Sequence, residues 1–137
     1  MENENDRGLS AILPCNDLNA SEAFYNRLGF TRPEEGRPAD PAEDEYRILS
    51  DGKGAYLHLT RAVQGWLIPG RNPFGLYLSA ENVDELAARF PGKVLEKNGP
   101  EDKPWGMYEF ALSDPDGTLV RVGWPTRLRN PVAMQSE

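Results

Sequence analysis

Two short turns, Asp51-Gly52-Lys53-Gly54 and Asp114-Pro115-Asp116-Gly117, each interrupt a run of strand-forming residues, and their closing glycines stand 63 residues apart. Asp can hydrogen-bond the backbone two residues on, and Gly accepts positive φ, so each turn predicts a hairpin. Other elements recur at nearly the same offset. Leu18 and Val83, where helical periodicity starts, are 65 apart. A chain written this way is constrained to a duplicated strand-helix-strand-strand-strand unit.

Along the first copy, Leu9, Ala11 and Leu13 alternate with Ser10 and Ile12 as a strand does, and Pro14-Cys15-Asn16-Asp17 closes it. Leu18, Ser21, Tyr25 and Leu28, widened by Phe24, make a helical stripe that Asp17 or Asn19 can cap and Gly29 can end. A short extended piece follows over Phe30 to Arg32, then a charged loop from Pro33 to Glu45, and then strands Tyr46 to Ser50 and Ala55 to Arg61. The second copy reads Gly75 to Ser79 as a strand, then a helix marked by Val83, Leu86, Ala87 and Phe90 and ended by Gly92. A short strand is expected around Lys93 to Glu96, then the loop Lys97 to Lys103, and last the hairpin from Pro104 to Gly123. The fold class is α+β, with βαβββ modules at about 9–61 and 74–124 in a single domain spanning 9–125. A polar segment, 1–8, precedes it and a tail, 126–137, follows.

The strands also predict sheet faces. Leu57 and Leu59 oppose Tyr56, His58 and Thr60; Leu76 and Leu78 oppose Gly75, Tyr77 and Ser79; Val120 and Val122 oppose Arg121. One face is aliphatic and should meet the helices. The other mixes aromatic, hydroxyl and charged groups, as either a solvated surface or the wall of a binding cleft.

Charge and composition remove several function classes. A formal charge of -7 over 137 residues disfavours nucleic acid, whose phosphates are bound by clustered Lys and Arg. No apolar run approaches the roughly 20 residues that span a bilayer, so no membrane partner is expected. The acidic start MENENDRG is unlike a secretory leader, and the lone Cys15 forms no internal disulfide; both fit a cytoplasmic protein. In the loop Pro33 to Glu45, Glu34, Glu35, Asp40, Glu43, Asp44 and Glu45 face only Arg37, making a rim that is either solvated or attractive to a cation.

Asp17-Leu18 with Ser21, Phe24-Tyr25 and Leu28-Gly29-Phe30, together with Trp105-Gly106-Met107-Tyr108-Glu109-Phe110-Ala111-Leu112 and Asp114-Pro115-Asp116-Gly117, resembles the glyoxalase/bleomycin-resistance/dioxygenase family, the vicinal oxygen chelate superfamily. The resemblance runs from about Leu9 to Pro125. The Trp-Gly-x-x-Glu-Phe-Ala-Leu hairpin is most similar to the bleomycin-resistance branch. It implies paired βαβββ modules whose curled mixed sheets form a cleft, usually completed in a homodimer.

Metalloenzymes of that family hold a divalent ion with His, Gln or Glu, and the resemblance carries those four places to Ser10, His58, Gly75 and Arg121. Only His58 is a ligand type, whereas a catalytic centre generally needs about three. Arg121, always protonated, would repel a cation. The expectation is therefore no metal, no cofactor and no catalytic residue. The alternative is a glyoxalase- or dioxygenase-like enzyme with an atypical metal site around His58 and Glu109. His58 by itself reads as a wall residue, and Glu109 and Arg121, on antiparallel neighbours, as an ion pair that sets the polarity of the pocket.

In bleomycin-resistance proteins that the hairpin resembles, the drug site is lined by a tryptophan before the Glu-Phe strand, an aromatic residue on the fifth strand and a hydroxyl residue ending the fourth. Residue by residue these fall on Trp105, Tyr77 and Thr60. The expected ligand-binding set is Trp105, Tyr77, Thr60, His58, Glu109 and Arg121. Flat aromatic walls suit a planar cationic ligand, bleomycin-like, through stacking and cation-π attraction. Trp105 and Tyr77 could equally pack against a dimer partner, and Trp66 on its own loop. The function implied is antibiotic resistance by sequestration.

Overall fold

The computed structural model describes residues 8–33 and 45–129. Of the acidic rim expected over Pro33 to Glu45, all but Pro33 and Glu45 lie outside the described residues, as do 1–7 and 130–137. The chain divides into two compact units, 1–72 and 73–137. In the first, β1 (Ala11–Cys15), α1 (Leu18–Arg27), β2 (Tyr46–Ser50) and β3 (Tyr56–Arg61) follow in order. In the second, β4 (Gly75–Ser79), α2 (Val83–Ala88), β5 (Glu101–Asp102), β6 (Met107–Ser113) and β7 (Leu119–Pro125) follow.

The first sheet has the order β1-β3-β2 and the second β4-β7-β6-β5. In each, the first strand runs parallel to the last, and the last runs antiparallel to the strand before it. An antiparallel bridge between Thr31 and Ser50 stands in the first sheet where β5 stands in the second. Both units are thus βαβββ modules, one with its second strand reduced to a bridge.

The two hairpins are built alike. Asp51 Oδ1 accepts from the backbone N–H groups of Lys53 and Ala55 at 2.8 and 3.0 Å, and Asp114 Oδ1 from those of Asp116 and Thr118 at 2.8 and 2.9 Å. Gly54 and Gly117 close them at φ 108° and 82°, where a side chain would be strained.

Each helix covers the aliphatic face of its own sheet. Leu18, Tyr25 and Leu28 are buried in the first unit along with Leu49, Leu57 and Leu59; Val83, Leu86 and Phe90 in the second along with Phe110, Val120 and Val122. Full burial of one such side chain is worth about 1.5–3 kcal/mol. Asp17 is the N-cap of α1, accepting from Ala20 N–H at 3.1 Å. Asn19, the other candidate cap, instead accepts from Arg47 at 2.9 Å. Arg47 also pairs with Glu22 at 2.9 Å, and Arg32 with the other Glu22 oxygen at 2.7 Å. The first core therefore contains a buried, satisfied ion pair that apolar periodicity does not reveal.

Two boundaries differ from expectation. The first strand is Ala11–Cys15 rather than Leu9 to Leu13; Leu9 is 96% exposed, and Pro14 lies inside the strand. β1 is an edge strand, where a missing N–H costs no ladder bond on the open side. No strand forms over Lys93 to Glu96, and the short strand is Glu101–Asp102. Leu95 N–H still reaches Ala111 C=O at 2.9 Å, but the Glu96 carboxylate, not its backbone, accepts from Ala111 N–H at 2.8 Å. A side chain has replaced one backbone partner of the ladder.

Candidate ligand-binding site

On the face of the second sheet opposite α2, β6 offers Glu109, β7 offers Arg121 and Gly123, and β4 offers Tyr77. Register sets Tyr77 beside Arg121 and Glu109 beside Gly123. Glu109 has no exposed surface, yet both its oxygens are satisfied. Oε1 accepts from the Tyr77 hydroxyl at 2.7 Å and, at a long 3.4 Å, from the Trp105 indole N–H; Oε2 accepts from Arg121 Nη1 at 3.1 Å. A buried carboxylate left alone would be costly, and three donors with a paired cation offset that cost.

Gly123 makes the convergence possible. A Cβ there would stand 2.7 Å from the Glu109 Cβ and 3.2 Å from the Tyr108 carbonyl, and would collide with the Tyr77 hydroxyl. The phenol lies across β7 in the space a side chain would fill. Sequence reasoning passed over Gly123, although a glycine inside the apolar strand Leu119–Pro125 is a recognised sign of close approach. The Tyr77 phenol is held well above its ordinary ionisation range, first by burial of the hydroxyl and then by its bond to the Glu109 carboxylate. It remains a proton donor.

Trp105 stands on the loop before β6 and is 62% exposed. Gly106, at φ 89°, turns the chain after it, with its N–H on the Lys103 carbonyl at 2.9 Å and its own carbonyl accepting from Thr126 N–H at 2.9 Å. Lys103 Nζ sits 5.9 Å from the indole centroid, within cation-π range, and is itself fixed by Glu96 at 3.1 Å and Glu101 at 3.4 Å. The ring is thus exposed but anchored at its edge by Glu109 and over a face by Lys103. Lys103 was not among the expected site residues.

His58 and Thr60 belong to the first unit, on the face of its sheet opposite α1. The Tyr46 hydroxyl and His58 Nδ1 share a hydrogen bond at 2.6 Å, with the rings edge to face. Thr60 is half-buried, opposite Tyr46 in register. Ile12 and Ile48 flank His58 in register and remain exposed at 59% and 44%. Tyr46 also escaped sequence reasoning. Trp66 is 80% exposed in the connection after β3.

The register relates the two faces position by position. Tyr46 opposes Thr60 as Glu109 opposes Gly123; Ile12 adjoins His58 as Tyr77 adjoins Arg121. Four expected residues, Tyr77, Trp105, Glu109 and Arg121, therefore form one cluster in the second unit, and a hydrogen-bonded Tyr-His pair occupies the matching place in the first.

The residues at the four places where related metalloenzymes bind an ion do not fit a metal. Ser10 lies just before β1 and is exposed, Gly75 starts β4, and Arg121 is committed to Glu109. Among the described residues no three of His, Cys, Asp and Glu converge to hold a cation. A separate hollow of about 560 Å³ beside α2, lined by Ala87, Phe90, Val94 and Pro100 among others, shares no residue with the Glu109 cluster. Among the described residues, no helix is long and apolar enough to cross a membrane.

Comparison with known proteins gives the same architecture. The Glyoxalase/Bleomycin resistance protein/Dioxygenase superfamily matches residues 9–122. A bleomycin-binding protein solved in complex with bleomycin is 30% identical, with 86% of this chain and 98% of that one covered and a TM-score of 0.65. The bleomycin resistance determinant encoded on the transposon Tn5 is also 30% identical, covering 87% and 98%, with a TM-score of 0.66. TnmS3, an antibiotic binding protein from Streptomyces sp. CB03234, shares the fold at 21% identity, covering 90% and 99%, with a TM-score of 0.60. No curated protein matches in sequence.

Proposed function

The chain belongs to the Glyoxalase/Bleomycin resistance protein/Dioxygenase superfamily, and on that premise we propose that it is a metal-free small-molecule binding protein of the bleomycin-resistance type. It sequesters an aromatic antibiotic, working as a homodimer in the cytoplasm. The observation that carries this reading is Trp105, a largely exposed indole held in place by Glu109 and Lys103. An exposed aromatic whose orientation is already fixed loses little freedom when a flat ligand stacks on it. The similarity to a bleomycin-binding protein and a bleomycin resistance determinant supports the same ligand class.

Tyr77 supplies a second aromatic surface, 46% exposed, while its hydroxyl is turned into the cluster. His58 and Thr60, on the non-helical face of the first sheet, are proposed as ligand-contacting residues of that unit. The cationic character expected of the ligand has less support than its flatness. Glu109, the carboxylate that a cation would need, is sealed and spent on Arg121. The same commitment argues against a catalytic metal at Glu109, and Tyr46 already engages His58 Nδ1.

Binding needs no bond made or broken. Protection follows from mass action, since a drug held by the protein is withheld from its target. Calorimetric titration with bleomycin, metal-free and copper-loaded, should give micromolar or tighter binding with quenching of tryptophan fluorescence. Trp105→Ala should weaken it by about tenfold or more, the scale of losing one aromatic anchor. Neither heat nor quenching at micromolar drug would remove the bleomycin assignment, and stoichiometric Ni, Zn or Fe in the purified protein would overturn the metal-free reading.

A further inference from the structure

We infer that Arg121 is the polar anchor of this site and that it selects aromatic ligands carrying an acceptor oxygen group, an oxyanion such as carboxylate or sulfonate in the tightest-binding form. The inference rests on the reading of Trp105 as a stacking wall and adds to it the sign of the group that recognises the ligand. In the Glu109 cluster the negative partner is sealed and the positive one is not. Glu109 has no exposed surface, whereas the Arg121 side chain is 38% exposed. The exposed member of the ion pair is therefore the arginine.

The donor count points the same way. The Tyr77 hydroxyl and the Trp105 indole N–H each direct their single proton to Glu109. Arg121 carries five N–H donors in a planar fork, and among the described residues its hydrogen bond to Glu109 is made by Nη1. The remaining donors match the two oxygens of an oxyanion, which a fork of this shape binds in parallel. Indole and guanidinium bind opposite oxygens of one carboxylate, so a single small ligand can reach both. The nearest further carboxylate in register, Glu101 beside Glu109, is paired with Lys103 at 3.4 Å, and charges beyond a Debye length of about 8 Å are screened at physiological salt.

Three naphthalene probes of equal ring area test this by titration of tryptophan fluorescence and by calorimetry: naphthalene-2-sulfonate, 2-naphthylmethylammonium and neutral 2-naphthylmethanol. The wild-type protein should bind the sulfonate at least about tenfold tighter than the ammonium, the scale of one charge-assisted hydrogen bond. The neutral probe should fall between, and the preference should shrink as salt is raised. A double variant, Glu109→Gln with Arg121→Met, removes both charges without stranding a buried carboxylate, and should bind all three within about threefold.

Equal or tighter binding of the ammonium by wild type overturns the inference, as does a sulfonate preference that survives in the double variant. Binding of none of the three up to millimolar concentration overturns it as well. The wild-type comparison decides without any variant having to fold. A silent bleomycin titration beside a clear sulfonate preference would remove the proposed drug class and leave the role of Arg121 standing; bleomycin binding without a sulfonate preference would do the reverse.

Discussion

In the first sheet Tyr46 and His58 share a hydrogen bond at 2.6 Å, and at the matching register positions of the second sheet Glu109 and Arg121 form an ion pair at 3.1 Å. Thr60 in the first corresponds to Gly123 in the second, and the exposed Ile12 to Tyr77. The backbones of the two units, their strand orders and their Asp-headed turns agree. One frame stands twice in the chain, and at four equivalent positions the second copy carries the residues of a charged, cross-strand cluster. Gly123 matters most among them, because the close approach of Tyr77 to Glu109 exists only where β7 lacks a side chain.

The helix-facing sides differ in the opposite sense. Arg47 and Glu22 form a buried ion pair under α1, whereas in the second unit Phe110 occupies the place on β6 that Arg47 has on β2. The first unit's buried Arg47–Glu22 pair and the second unit's partly exposed Arg121–Glu109 pair thus lie on opposite faces of their sheets. The first keeps its pair among core residues, where it can specify packing; the second keeps it beneath the proposed ligand surface.

The largest expected effect breaks the comparison at its centre. Arg121→Met strands the Glu109 carboxylate, and should destabilise the protein by about 2–4 kcal/mol in urea unfolding, reduced from the roughly 3–5 kcal/mol of a fully buried pair because Arg121 is partly exposed. His58→Met, at the matching position, removes a single hydrogen bond with no buried carboxylate left behind and should cost about 1 kcal/mol. Comparable losses in the two variants would mean that the ion pair is no more structural than its Tyr-His counterpart.

Next in size is Gly123→Ala. Its methyl group meets the Glu109 Cβ, the Tyr108 carbonyl and the Tyr77 hydroxyl, so overpacking of about 1–3 kcal/mol is expected, with displacement of the Tyr77 ring. Thr60→Ala, at the matching position of the first sheet, should stay within about 0.5 kcal/mol. Unfolding curves for the pair give the contrast directly. A Gly123→Ala protein as stable as its parent would show that the cluster can rearrange freely.

The smallest effect sharpens the description of the second unit under alkali. Burial of the Tyr108 hydroxyl and its bond to Asp84 push its ionisation from near 10 up to about 12. A proton bound more tightly in the folded state gives stability that is fully present below pH 10 and is lost as pH rises through about 12. Tyr77 is shifted in the same direction. Spectrophotometric titration of wild type against Tyr108→Phe should assign one late tyrosinate to this residue, and stability measured between pH 10 and about 12 should fall less steeply in the variant. Loss of an early-titrating tyrosine instead would remove the Asp84 bond from the account.

Much of the fold was legible because its signals are local. The alternation of Leu57 and Leu59 with His58, the stripe of Leu18, Tyr25 and Leu28, and the Asp and Gly of each turn all act within one element. Parity along β6 also set Glu109 opposite Phe110 and so away from the aliphatic core. The misread segments failed for non-local reasons. Pro14 is acceptable in β1 only because that strand lies at an edge, and the segment 93–96 lost its strand because the Glu96 side chain took a backbone partner. Lys103 and Tyr46 have no local signature at all.

The sequence by itself determined the repeated βαβββ order, the two faces of each sheet and the membership of Tyr77, Glu109 and Arg121 on the non-helical face, properties that follow from periodicity and turn chemistry encoded by neighbours along the chain. Trp105, in a loop, joined them only through the family resemblance of its hairpin. Only the tertiary structure decided that Tyr77, Trp105 and Arg121 meet on the Glu109 carboxylate, that this carboxylate is sealed while the Arg121 side chain is not, and that Gly123 opens the space between them. Burial and pairing depend on strand register across 32 residues between Tyr77 and Glu109, a relation set by packing rather than by residue order.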